Sequence, residues 1–189
     1  GIVTAVGSMI SMALCPLLIK KLNERNAYIL LSVYGFAASV FSFVIGHFWF
    51  QSPKNMVLTV LFYASLFLIG LQFGAVTLMP MIMTADTVDY YEHETGKRME
   101  GACYSILTLT IKVCLALGTA VGLIFVQKSG YYESLSAGTF TTKTKDIIFF
   151  AYTALPGILA LLSIVPMFKY DIVGEKKAKI SSDLASRRK

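Results

Sequence analysis

Charged side chains are scarce in this sequence. They make up 15% of its 189 residues, where a soluble domain carries about 25%. They are also clustered, so long windows contain none, and 56% of the residues are hydrophobic. That distribution excludes water as the solvent for most of the chain and points to lipid. Cysteine is nearly absent too. Cys15, Cys103 and Cys114 show no CxxC or metal-ligand spacing, which leaves no framework of disulfides or metal ligands. They read as small apolar residues in or beside the spans. The net charge of +6 could suggest nucleic acid. However, the basic residues flank apolar runs, and neither a zinc-finger spacing nor an RNA-binding aromatic box is present, so no nucleic-acid partner is expected. No GxSxG, HExxH, P-loop or aspartyl-phosphorylation motif occurs, so neither hydrolase chemistry nor a cofactor is expected. The opening GIVTAVGSMI has no Met and no basic n-region. It is not a signal peptide and reads as the interior of a longer protein.

What is present is a series of long apolar runs. Five spans are expected, at residues 2–19, 28–48, 56 to about 90, about 102–126 and 147–168. Continuous runs of this length satisfy their backbone groups in lipid as helices. Barrel strands would instead alternate over about ten residues. The third run holds 31 residues, 55–85, without one Asp, Glu, Lys or Arg. At about 1.5 Å per residue it exceeds a hydrocarbon core of about 30 Å, so tilt or a bend at Pro80 is expected. Residues 1–170 form the membrane part. Residues 171–189 are read as a basic, irregular tail without a hydrophobic face. With five spans, twelve loop and tail Lys and Arg fall on the side of the tail and four on the other. The excess places the carboxyl end in the cytoplasm.

Two polar features stand out. The first is Lys112, with eleven uncharged residues before it and fifteen after. A lysine at mid-span costs about 2.5–3.5 kcal/mol unless it faces protein or water. Thr108 at i−4 and Ser105 at i−7 share its face. Either Lys112 is a structural lysine paired inside the bundle, or the three line an aqueous path for a hydroxyl-rich solute. The second is the stretch TADTVDYYEHETGKRMEG, where Asp86, Asp89, Glu92, Glu94, Lys97, Arg98 and Glu100 arrive within fifteen positions. Asp86, Asp89 and Glu92 recur every three residues on one side of a helix. A solvated helix end, a salt-bridged gate closed by the planar fork of Arg98 and a divalent-metal site all fit this pattern. Weaker signals are the small-residue pairs Gly70/Gly74 and Gly118/Gly122, expected to pack helices within the bundle.

The run Ala85, Asp86, Val88, Asp89, Tyr90, Glu92, Thr95, Gly96, Arg98, Glu100 and Gly101, followed by Lys112 in an apolar helix, resembles the glycoside–pentoside–hexuronide:cation symporters. These are the melibiose permease group of the major facilitator superfamily. CPLLIKKLNERN is similar to that family's loop between helices eight and nine. The resemblance implies an all-α, polytopic transporter of two six-helix halves, of which this chain would cover about helices eight to twelve. It implies that Lys112 and Thr108, with Ser105 on the same stripe and Thr77 nearby, face the sugar. It implies that Asp86, Asp89, Glu92, Arg98 and Glu100 form a cytoplasmic gate network. The partners implied are a sugar or glycoside, Na⁺ or H⁺, the bilayer and the amino-terminal half, which would hold the cation site. A membrane-embedded enzyme and a non-transporting sensor on the same fold are the alternatives.

Overall fold

The computed structural model describes residues 1–187. Among these the regular structure is helical throughout: α1 (Ile2–Gln51), α2 (Met56–Thr95), α3 (Glu100–Lys128), α4 (Tyr131–Ser136), α5 (Thr142–Tyr152), α6 (Ala154–Leu162), α7 (Ile164–Met167) and α8 (Gly174–Arg187). Helices α1, α2 and α3 and the stretch Thr142–Met167 are each long and apolar enough to cross a membrane.

Helix α1 supplies two of the expected spans. Asn23 breaks it, with φ 63° and ψ 162°. Gly7 lies against Phe67 and Gly70, and Gly35 against Gln72. Positions on either side of Asn23 therefore meet the same turns of α2, and the chain doubles back at residue 23. The φ/ψ pair at Asn23 belongs to a region that glycine occupies almost alone and that costs other residues about 1–3 kcal/mol.

Helix α2 runs 40 residues, about 60 Å at helical rise and twice the hydrocarbon thickness. Its final turns therefore extend past the lipid and carry Asp86, Asp89 and Glu92 with them. Asn55 caps its start by accepting from the Val57 and Leu58 amides, and Gly96 ends it at φ 70°, where its N–H meets the Glu92 carbonyl. Gly70 and Gly74 pack as expected: a Cβ at Gly74 would sit 2.1 Å from the Ser8 carbonyl oxygen, and one at Gly70 2.4 Å from that of Thr4. Gly118 and Gly122 do not. No atom lies within 4 Å of a Cβ built at either, because the α3 face that bears them is open among the described residues. Between α1 and α2, Ser42 and Ser65 are wholly buried and share a 3.0 Å hydrogen bond.

The fifth span is one direction but three helices. Thr153 and Ser163 interrupt it. Each break lies three residues before a proline, Pro156 or Pro166, whose ring displaces the carbonyl four positions back. The span packs on the second limb of α1, where Tyr28 donates to Ser163 at 2.8 Å. Near the start of the span, Phe149 meets Phe62 and Phe50 at 5.6 and 5.4 Å, and Trp49 stacks on Phe62 at 4.4 Å.

The tail departs from expectation. Residues 174–187 form α8, and Ile180 and Leu184 are buried against Ile172, with Tyr90 and Tyr170 packed alongside. The i, i+4 pair Ile180/Leu184 is a narrow hydrophobic face that the many charges of EKKAKISSDLASR conceal. The last two residues of the expected tail, Arg188 and Lys189, lie outside the described residues.

Candidate functional site

The polar stripe lies on α3. Ser105, Thr108 and Lys112 line an open groove of about 410 Å³ with Gly101, Tyr104 and Leu109. None of the 29 residues of α3 is buried among the described residues. The Ser105 hydroxyl donates to the Gly101 carbonyl at 2.7 Å and that of Thr108 to Tyr104 at 2.8 Å. Their hydrogens are thus used within the helix, and their lone pairs remain to accept. Lys112 offers three donors and no acceptor. From Ser105 to Lys112 the face is roughly 10 Å long, with acceptors at one end and a cation at the other. Thr77 sits on α2, exposed, its hydroxyl returned to the Phe73 carbonyl at 2.7 Å. It does not line this groove.

The charged motif separates into two clusters. In the first, Arg98 binds three carboxylates: Nη1 lies 2.9 Å from Glu92 and 3.2 Å from Asp89, and Nε lies 3.1 Å from Glu100. Glycine at 96 lets the chain turn sharply out of α2, which swings Arg98 back over the helix end. The hydrogen bonds to Glu92 and then Glu100 hold its guanidinium above the usual range. No group of three or more His, Cys, Asp and Glu arranged for a metal ion occurs among the described residues.

Asp86 does not join that cluster. It is 8% exposed and faces the tail. Lys177 of α8 places its ammonium 2.7 Å from Asp86 Oδ1 and 2.6 Å from Glu24 Oε1. Tyr170 donates to Asp86 at 3.4 Å. Burial would lower the Lys177 ammonium, but the hydrogen bonds to Asp86 and Glu24 outweigh it and leave the group above its ordinary value. Burial, then the charges of Asp86 and Glu24, push the Tyr170 phenol up. Sequence reasoning missed Glu24, Tyr170 and Lys177. Glu24 carried a signal, since it is the sole acidic residue in the first 85 and lies among three basic ones. Lys177 carried none, being one lysine in a basic run.

These features define a polytopic α-helical membrane protein with charge concentrated at one end of its helices. The chain belongs to the family described as MFS/sugar transport protein, which matches residues 1–174. It is 24% identical over 187 residues to a glucuronide carrier protein homolog of Escherichia coli (strain K12), an alignment covering 97% of this chain and 38% of that protein. A putative sulfoquinovose importer of the same organism is 24% identical over 183 residues, covering 96% of this chain and 36% of the importer. Its inner membrane symporter YicJ is 31% identical over 127 residues, 67% of this chain and 27% of that protein. The chain therefore spans well under half the length of these relatives. No solved structure matches it. The family is one of transporters, not of enzymes.

Proposed function

We propose that this chain is the carboxyl-terminal part of a secondary transporter that moves a sugar or glycoside together with Na⁺ or H⁺ across the cell's inner or plasma membrane. The observation that carries the reading is the α3 stripe. Hydroxyl oxygens at Ser105 and Thr108 accept from solute hydroxyls, while Lys112 donates to solute oxygens, and the three share one groove. A sugar presents both partners along its edge. Names of relatives support the solute class, including a glucuronide carrier homolog and a sulfoquinovose importer. Both name acidic sugars, which a lysine would attract.

The mechanism is alternating access about a midplane site. Solute and cation together favour the occluded state, in which the path is closed at both ends. No covalent step is needed. Arg98 with Asp89, Glu92 and Glu100 forms the cytoplasmic-side network, and the tail lies on that side. Thr77 contributes at the edge of the solute path.

The test is uptake of labelled glycosides by the full-length protein in proteoliposomes, with and without a Na⁺ or H⁺ gradient. Lys112→Ala is expected to lower uptake at least tenfold. Uptake indifferent to both Lys112→Ala and Asp89→Asn would overturn the residue roles.

A further inference from the structure

The triad of Glu24, Asp86 and Lys177, with two buried carboxylates and a half-buried lysine, needs an explanation that adhesion alone does not give. Its members come from three places in the chain: the turn of α1, the end of α2, and α8. Glu24 is 5% and Asp86 8% exposed. A buried ion group is a poor adhesive, because well-packed apolar residues of similar volume hold a fold as well or better. With the ammonium removed, two shielded carboxylates would face each other and repel. One cation delivered by the tail thus bridges the α1 turn and α2, beside the apolar contacts of Leu18, Leu22, Ala27 and Met79.

The tail is also joined to the neighbouring cluster. Asp86, Asp89, Ile172, Lys177, Ile180 and Ser181 line a common cleft of about 70 Å³. Asp89 in turn binds Arg98, which lies two residues before the start of α3, the helix bearing Lys112. Further along, His93 Nε2 pairs with Asp183 at 3.1 Å, and Arg187 donates to the His93 carbonyl at 3.0 Å. The docked tail and Asp89 thus border one cleft, and Arg98 links Asp89 to Glu100 at the start of α3.

We infer that Lys177 is a positioning residue of the transport cycle: carried on the docked tail helix, it staples Glu24 to Asp86 and so sets the mouth of the path for translocation. The inference rests on the transport reading above. It assigns a role to a residue beyond residues 1–174, the part matched by the family.

The experiment uses the full-length protein in proteoliposomes on a cysteine-free background. Leu184→Cys, 4% exposed in the docked tail, reports docking through its rate of labelling by a bulky, impermeant maleimide. Sugar exchange and equilibrium sugar binding are measured on the same preparations. With Lys177→Ala, labelling is expected to rise at least tenfold and exchange to fall at least tenfold, while the sugar Kd stays within twofold. Lys177→Arg should restore both. A residue that merely held the fold would move the Kd as well. Exchange within twofold of the parent in Lys177→Ala overturns the inference, and so does a parallel loss of binding. Where Lys177→Ala does not reach the membrane, Lys177→Gln is read by the same criteria. A parent that exchanges no sugar would sink the transport reading. The staple is then judged on labelling alone, supported by a tenfold rise and overturned by unchanged protection.

Discussion

Lys112 and Arg98 carry their charge in different surroundings, and the consequences of replacing them differ. Lys112 stands alone on an apolar helix beside two hydroxyl acceptors. Lys112→Arg keeps the charge but puts a planar fork where a compact ammonium stood. It is expected to retain roughly a tenth to a half of uptake, between the parent and Lys112→Ala. Arg98 uses three nitrogen–oxygen contacts to gather Asp89, Glu92 and Glu100. A lysine at 98 cannot span them with one ammonium. Arg98→Lys should lower uptake roughly fivefold while leaving the thermal midpoint nearly unchanged, because exposed pairs contribute little to stability.

The tail's residues give a pH dependence whose sign follows from their surroundings. Lys177 binds Glu24 and Asp86, and Tyr170 donates to Asp86. Lys177 and Tyr170 are both raised in the folded chain. Their contribution to docking is therefore complete below the unfolded values of about 10, and it is lost as pH rises through the higher folded values. Asp171 is lowered, chiefly by its hydrogen bond from Lys176 at 2.5 Å. Its contribution is present above about pH 3.9 and is lost as pH falls through the depressed value. A spin label at the exposed position 182 should show constant mobility from about pH 8 to about 9, then a sharp gain at higher pH.

At the scale of helices, the two junctions on α1 behave oppositely under substitution. The α1–α2 seam depends on glycine. Gly74→Ala puts a methyl 2.1 Å from the Ser8 oxygen, so the backbones must part, at a cost of about 1–3 kcal/mol. The turn at residue 23 lacks a glycine it could use. Asn23→Gly relieves the positive φ of 63° and should raise the thermal midpoint in detergent, whereas Asn23→Val should lower it. If both moved the midpoint in the same direction, the backbone at residue 23 would not be as described.

At the scale of the whole molecule, α8 closes one end of the bundle by bridging the α1 turn and α2. Truncation of the full-length protein after Tyr170 would leave Glu24 and Asp86 without their cation and uncover Asp86 on the side that Ile180 and Ser181 line. Breaking a buried pair costs about 3–5 kcal/mol. Since the Lys177 side chain is 37% exposed, solvent screening reduces this to about 1–3 kcal/mol. Differential scanning fluorimetry of the truncated protein should show the loss, and Glu24→Gln with Asp86→Asn should recover part of it.

By itself the sequence determined whatever depends on local composition. Runs of some twenty uncharged residues can only be helices in lipid, so the helical class was legible, as were the i−4 and i−7 relation of Thr108 and Ser105 to Lys112 and the short-range reach of Arg98 to Asp89 and Glu92. Tertiary structure decided what depends on distant segments meeting. Lys177 finds Glu24 across 153 positions and Asp86 across 91, and no local pattern encodes such a pairing. The same holds for the glycines: Gly70/Gly74 and Gly118/Gly122 have identical spacing, but among the described residues only the first pair has a helix against it. Spacing fixes which face of a helix a residue occupies. What stands opposite that face is fixed by the path of the rest of the chain.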